Sequence, residues 1–92
     1  MSFAEEIKTV RQHCFLSQEA FARELNVSFS SVNRWESGKA KPNLVAMKNI
    51  KEFCEKHNID FTNIEQKWFD FEREAYLMIK DVIAANENVF HL

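Results

Sequence analysis

The chain has little of what an all-β fold needs, with one Gly and one Pro among its 92 residues. Many short strands require frequent tight turns, and Gly and Pro are the residues best suited to form them. Ala, Leu, Glu, Lys and Gln, which favour helices, are common instead. The composition therefore argues against an all-β fold and predicts an all-α one.

Long apolar runs and a basic N-terminal segment are also missing. No run approaches the roughly 18 apolar residues that suggest a membrane span, and Met1–Glu6 lacks the basic start of a signal peptide. These absences predict a cytoplasmic protein without a membrane partner. In that setting, Cys14 and Cys54 are expected to be reduced, buried thiols rather than a disulfide.

The residues that are present suit one small domain. The sequence is 46% hydrophobic and 13% aromatic, with nine Phe, which gives a short chain enough apolar area for a modest core. The formal net charge of -2 hides an uneven distribution. Residues 26–51 carry five basic side chains and one acidic one, net +4, whereas residues 60–92 carry three basic and seven acidic, net -4. A local basic patch thus lies in an otherwise acidic protein.

Apolar residues three or four positions apart predict four helices in the first 59 residues. Ser17 and Ser28 are candidate N-caps, Gly38 suits a left-handed turn position, and Asn58 is a candidate for the turn after the fourth helix. The apolar faces of these helices are, in chain order, Ile7, Val10 and Cys14; Phe21, Ala22 and Leu25; Val32 and Trp35; and Leu44, Met47, Ile50 or Lys51, and Cys54.

A longer fifth helix follows. Thr62–Glu65 reads as a capping box, and the pattern continues for about 24 residues through Ala85. We therefore divide the chain into residues 1–59, a four-helix domain, and residues 60–92, an amphipathic C-terminal helix.

The second and third helices, joined by a tight turn, match the helix-turn-helix plan. The segments Leu16–Ala22, Leu25–Ser28 and Val32–Lys39, followed by Pro42, closely resemble the phage-repressor and Cro-like family, also called Xre-type. The resemblance runs from Ile7 to Ile59 and departs from the family pattern at Asn26, where many relatives have Gly. Because Asn tolerates the left-handed conformation, the turn is expected to form all the same. It implies a compact helical domain whose third helix enters the major groove of double-stranded DNA while the second crosses the backbone.

Candidate base-reading residues lie on the third helix, opposite Val32 and Trp35. Arg34 can bond guanine in bidentate fashion and Asn33 can pair with adenine, while Phe29 can contact a thymine methyl. The alternatives are that Arg34 grips a phosphate or Glu36, and that Phe29 is partly buried core. The full candidate set is Ser28, Phe29, Ser30, Asn33 and Arg34.

Candidate phosphate contacts flank that helix. The family pattern places a glutamine at the start of the second helix on a phosphate, and Gln18 occupies that position. Lys39, Lys41 and Asn43 follow the third helix on a basic loop within reach of the backbone. The alternative for all four is simple solvation.

No cofactor, metal site or catalytic function is expected. His13–Cys14 and Cys54–His57 place thiols beside imidazoles, but neither pair has the ligand spacing of a structural zinc module. A Cys/His nucleophile would also need an orienting third group, and the single Gly leaves no phosphate-binding loop.

The fifth helix carries a heptad-like stripe that is larger than a four-helix core needs to cover. We expect part of it to contact a partner subunit, because the family commonly binds two-fold operators as homodimers. The candidate contacts are Trp68, Phe71, Ala75, Met78 and Val82, with Ile64 at the start of the stripe. The function predicted is a sequence-specific transcriptional regulator that occupies an operator or promoter. The alternative is an antitoxin-like or adaptor module that binds another protein through this helix.

Overall fold

The computed structural model describes residues 1–71 together with residues 73, 77 and 80, and these contain helices and no strand. Four helices precede a fifth: α1 (Phe3–His13), α2 (Gln18–Leu25), α3 (Phe29–Glu36) and α4 (Leu44–Lys56). The fifth, α5, begins at residue 62 and is helical over 62–71 and at residues 73, 77 and 80. The predicted all-α, five-helix fold is confirmed.

Each of the first four helices begins with a polar side chain that accepts a backbone N–H from the first turn. The Ser17 and Ser28 hydroxyls accept from Ala20 and Ser31, both at 3.1 Å, as the sequence predicts. In the same way, Asn43 Oδ1 accepts the Ala46 N–H at the start of α4, and Ser2 Oγ accepts the Glu5 N–H at the start of α1. Short helices depend on such caps because their first N–H groups have no partner within the helix.

The same four helices end alike, with a residue in left-handed conformation. The four residues have φ between 55° and 76°: Phe15, Asn26, Gly38 and Asn58. After each, a backbone N–H reaches back to the last helical turn, as from Val27 to the Ala22 carbonyl at 3.0 Å. Asn26, Gly38 and Asn58 were predicted at such positions. Phe15 was not, since a bulky side chain disfavours this backbone.

The core lies between the four helices and the start of α5. The rings of Phe21 and Phe53 pack in a T-shaped arrangement, with 5.2 Å between their centroids and an interplanar angle of 79°. The predicted apolar faces of α1, α2 and α3 are buried, apart from the half-buried Cys14. The buried hydrophobic residues are Phe3, Ile7, Val10, Phe21, Ala22, Leu25, Val32, Trp35, Ala46, Met47, Ile50, Phe53, Cys54 and Ile64.

One core assignment in α4 was wrong. Leu44 is 74% exposed, and its neighbour Val45 is 69% exposed. Leu44 is the first helical residue after the Asn43 cap, and the buried face of α4 starts only at Ala46 and Met47. Leu44 lines a cleft between α4 and α5, whereas Val45 lies on the side of α4 that faces α3.

The start of α5 also differs from the prediction. The Glu65 N–H bonds the Phe61 carbonyl at 3.0 Å, so Thr62 is already inside the helix instead of capping it. The Asp60 carboxylate accepts the Thr62 N–H at 2.9 Å, and hydrogen bonding from the backbone and then the side chain of Thr62 lowers the pKa of Asp60. A carboxylate at this end is favoured because the helix dipole is positive there.

Ile64 is buried, and Trp68 and Phe71 pack half-buried against the core. Ala75, Met78 and Val82 of the predicted stripe lie outside the described residues. Within the described part of the chain, no helix is both long and apolar enough to cross a membrane.

Candidate nucleic-acid interface

The α2–turn–α3 unit separates an apolar underside from a polar outer face. Ala22, Val32 and Trp35 are at most 4% exposed and join the two helices to the core. Asn26 makes the turn in left-handed conformation with φ 56° and ψ 43°. Because only a residue that tolerates this backbone permits so short a turn, Asn26 sets the angle at which α3 is presented.

The five candidate base-reading residues share the outer face. Asn33, Arg34, Ser28 and Ser30 are all exposed, and Phe29 is 48% exposed. Phe29 is thus not core, and its ring is open to a ligand. The structure brings these side chains together at the first two turns of α3.

Ser28 has a structural task as well. Its hydroxyl oxygen accepts the Ser31 N–H and lies 2.8 Å from the Ser31 hydroxyl and 3.2 Å from that of Ser30. A Ser28 contact with DNA would have to coexist with this capping bond.

Arg11 and Glu36 form an ion pair between α1 and the end of α3. The Arg11 Nε and Nη2 atoms donate to the two Glu36 carboxylate oxygens at 2.8 and 2.9 Å, and Nη1 donates to the Leu16 carbonyl at 2.8 Å. The side chains are 13% and 4% exposed, and the bonds with Glu36 raise the pKa of Arg11. Bidentate geometry fixes both helices relative to each other.

Gln18 extends this ion pair to the outer face. Its amide nitrogen donates to Glu36 at 3.2 Å, and its amide oxygen accepts from Asn33 at 3.3 Å. A candidate phosphate contact and a candidate base reader are therefore joined directly. Since both Glu36 oxygens face Arg11, the alternative that Arg34 grips Glu36 is not what the structure shows.

Sequence reasoning missed Arg11 and Glu36 as members of the site. They are 25 positions apart, and only the packing of α1 against α3 brings them together. The available signal was an arginine in the last turn of α1 and a glutamate ending α3.

The basic loop, residues 39–43, follows α3. Lys39 is exposed, whereas the Lys41 ammonium lies 4.2 Å from the centre of a Trp68 ring. Trp68 Nε1 also donates to the Pro42 carbonyl at 2.8 Å, and Pro42 is fully buried. Asn43 caps α4 with its side-chain oxygen. Trp68, expected at a partner interface, thus contacts the loop of its own chain.

A polar groove of about 430 Å³ runs beside α3. Arg34, Lys41 and Asn43 line it together with Asn26 and Asn49. Asn49 was not singled out from the sequence. Its amide nitrogen donates to the Leu25 carbonyl at 3.1 Å, which leaves its oxygen for the groove. Two cations and several amides in one groove suit an anionic backbone.

The cysteines are placed as core thiols. Both are free, Cys54 is buried, and burial first, then the nearby Cys14 and Glu55, raises the pKa of Cys54 to about 11. Such a thiol stays protonated near neutral pH and is a poor nucleophile or metal ligand. Among the residues that the structure describes, no group of three His, Cys, Asp or Glu side chains could hold a metal ion.

Comparison with known proteins bears on this arrangement of helices. A family model described as helix-turn-helix matches residues 7–59, more than half of the chain. The chain belongs to this helix-turn-helix family. The matched segment runs from α1 to the turn after α4, so it contains α2, α3 and the basic loop but not α5. The resemblance to the Xre-type family is confirmed.

One curated relative is a protein of Enterococcus faecalis named HTH-type transcriptional activator BcrR. It is 40% identical over 53 residues, which make up 58% of this chain and 26% of the relative. The similarity therefore spans about a quarter of the relative's length. No solved structure matches the chain.

Proposed function

We propose that this helix-turn-helix protein is a sequence-specific, DNA-binding transcription regulator that acts by occupying an operator or promoter in the cytoplasm. The observation that carries the proposal is the exposed polar face of α3, held over the buried Val32 and Trp35 and flanked by candidate phosphate contacts. The relative's name, a transcriptional activator, supports the same class of function. No catalytic step is part of the proposal.

In this mechanism, α3 enters the major groove. Arg34 donates to guanine O6 and N7 and Asn33 pairs with adenine, while Ser28, Phe29 and Ser30 contact neighbouring base edges. Arg34 is exposed on α3, so its guanidinium is open to a base edge.

Phosphate contacts would hold α3 in register. Gln18 at the start of α2 approaches one strand, and Lys39, Lys41 and Asn43 approach the backbone beside the basic loop. The bond between Gln18 and Asn33 would align base reading with backbone contact, since rotation of either side chain breaks it.

A homodimer is the assembly that we propose for binding a two-fold operator. An apolar cleft of about 270 Å³ lies between α4 and α5, with Met47, Phe61 and Trp68 in its lining. Leu44 and Phe69 also line this cleft and are 74% and 61% exposed. We call Leu44 and Phe69 the α4–α5 patch.

The charges around the cleft favour a second copy of the chain as its occupant. Lys48 and Lys51 of α4 line one side, and Glu65 of α5 lines the other. A two-fold axis through the patch would set the lysines of one protomer against the glutamate of its partner, as a self-complementary interface requires. The predicted partner contacts also include Phe71, together with Ala75, Met78 and Val82, which lie outside the described residues.

Selection of bound sequences from random double-stranded DNA tests the function directly. We expect a defined half-site, and Arg34→Ala should then lose about 1–3 kcal/mol on it and relax preference at one base pair. Lys39→Ala is the control, since it should weaken all sequences alike. If no sequence is enriched and the protein instead co-purifies with a second polypeptide, the interaction-module alternative replaces this proposal.

A further inference from the structure

Trp68 makes two contacts with the basic loop although it lies outside the segment that matches the family. The family match ends at residue 59, and Trp68 is on α5. We propose that Trp68 is a positioning residue for DNA binding, which holds Lys41 where it meets a phosphate and thereby makes DNA affinity depend on α5. The inference rests on the function proposed above.

The first contact fixes the backbone of the loop. The indole N–H of Trp68 donates to the Pro42 carbonyl at 2.8 Å, and Pro42 is fully buried. Pro42 has a fixed φ and lies between Lys41 and Asn43, the two candidate phosphate contacts nearest α4. The bond therefore sets the direction in which the chain leaves α3 and enters α4.

The second contact restrains the lysine side chain. The Lys41 ammonium lies over the Trp68 ring, 4.2 Å from its centre, where the negative face of the indole attracts a cation. A free lysine would lose most of its rotamer freedom on gripping a phosphate. Lys41 has already lost part of that freedom, so its contact with DNA is prearranged.

Lys39 provides the contrast on the same loop. It is exposed, and no ring contact involves it among the described residues. Both lysines carry the same charge and lie two positions apart, yet only Lys41 is tied to α5. A change at Trp68 should therefore alter the contribution of Lys41 and leave that of Lys39 unaltered.

Double-mutant cycles on the full chain test this difference. Trp68→Leu, Lys41→Ala, Lys39→Ala and the two doubles that combine Trp68→Leu with a lysine change would be titrated with labelled duplex DNA over a range of salt concentrations. Circular dichroism and thermal melting would show whether each variant is folded. Trp68→Phe provides a milder variant that keeps an aromatic ring but has no N–H.

We expect Trp68→Leu to weaken binding to all duplexes by about two- to fivefold. Lys41→Ala should lower the salt slope by about one in the wild-type background and by clearly less in the Trp68→Leu background. The fold-losses of DNA affinity caused by Lys39→Ala and Trp68→Leu should multiply to within about twofold in the double variant, as for independent sites. Trp68→Phe should also couple to Lys41, but more weakly. If Trp68→Leu does not fold, the coupling measured with Trp68→Phe tests the inference in its place.

The inference is overturned if Trp68 couples equally strongly to Lys39 and to Lys41. It is also overturned if the losses of DNA affinity from the Lys41 and Trp68 changes simply multiply, as for independent sites. In either case Trp68 supports the fold alone, and its loss lowers the melting temperature without changing what Lys41 contributes. If the wild-type protein binds DNA but the mutant cycles show no coupling between Trp68 and Lys41, only this role of Trp68 is refuted. Wild-type protein without DNA affinity refutes the proposed function as well.

Discussion

Phe15 shows how much one residue can depart from its intrinsic preference. It adopts φ 57° at the end of α1, and 96% of its surface is exposed, so no packing compensates for the strained backbone. The left-handed region costs a residue with a side chain roughly 1–2 kcal/mol. The three other helix ends use Asn or Gly at the same position, where the cost is smaller.

Phe15→Gly should therefore stabilise the protein by about 0.5–1 kcal/mol, after allowing for the greater freedom of glycine in the unfolded chain. Urea denaturation measures the change, and Phe15→Ala is the control because it removes the ring while keeping the strain. Equal stability of the two variants would show that the backbone strain is not the cause.

Cys54 makes stability depend on alkaline pH. Its pKa is raised to about 11 in the folded protein from an ordinary value of 9.0. Between these values the unfolded chain loses a proton that the folded chain keeps, so rising pH favours unfolding. This contribution is fully present below pH 9 and amounts to about 2–3 kcal/mol when lost above pH 11.

Urea denaturation in reducing buffer at pH 8 and pH 10.5 checks this expectation. The Cys54→Ala variant is less stable at both pH values, but its loss of stability between them should be clearly smaller. An identical loss in the variant and the wild type would assign the pH dependence to other groups.

At the scale of elements, the helices follow from sequence and their mutual fixation does not. Apolar spacing and the caps Ser17 and Ser28 predict α2 and α3 because the interactions concerned are within four residues. The Arg11–Glu36 pair joins positions 25 apart and the Trp68–Pro42 bond positions 26 apart, so only the packed structure reveals them. Leu44 was misplaced for the same reason: periodicity identifies a face but not where its burial begins.

The Arg11–Glu36 pair gives a prediction at this scale. Arg11→Met leaves a nearly buried Glu36 carboxylate without its cation and should destabilise the protein by about 3 kcal/mol. The double variant Arg11→Met/Glu36→Leu should recover much of that loss, because it removes the unpaired charge. Denaturation of the three proteins measures both effects. A cost for Arg11→Met near that of exposed pairs, below about 1 kcal/mol, would show that water reaches the carboxylate.

At the scale of the whole molecule, the basic surface and the exposed apolar patch have different proposed roles. Basic residues gather around α3 and the basic loop, and α5 belongs to an acidic segment that DNA would repel. The α4–α5 patch lies where these two regions meet. If two copies join there, dimerisation and DNA binding involve neighbouring surfaces of one small domain.

Phe69→Asp should therefore give a folded monomer, with the dissociation constant of the dimer raised at least about tenfold. Phe69 is 61% exposed, so the fold of the single protomer should tolerate the change. Sedimentation and circular dichroism are the measurements, and Phe15→Asp is the control because it puts the same charge on an exposed phenylalanine that belongs to neither α4 nor α5. A wild-type chain that is monomeric at micromolar concentration, or a Phe69→Asp dimer of unchanged affinity, would contradict the proposed interface.

The positions of the two tryptophans have a practical consequence. Trp35 lies 4% exposed beneath α3, and the half-buried Trp68 lies beside the basic loop, so the chain has one indole under each part of the candidate DNA surface. Indole emission responds to the polarity and charge around the ring. The protein therefore carries two intrinsic optical probes, one insulated from solvent and one in contact with a cation, and single Trp→Phe variants would separate their signals without any attached dye.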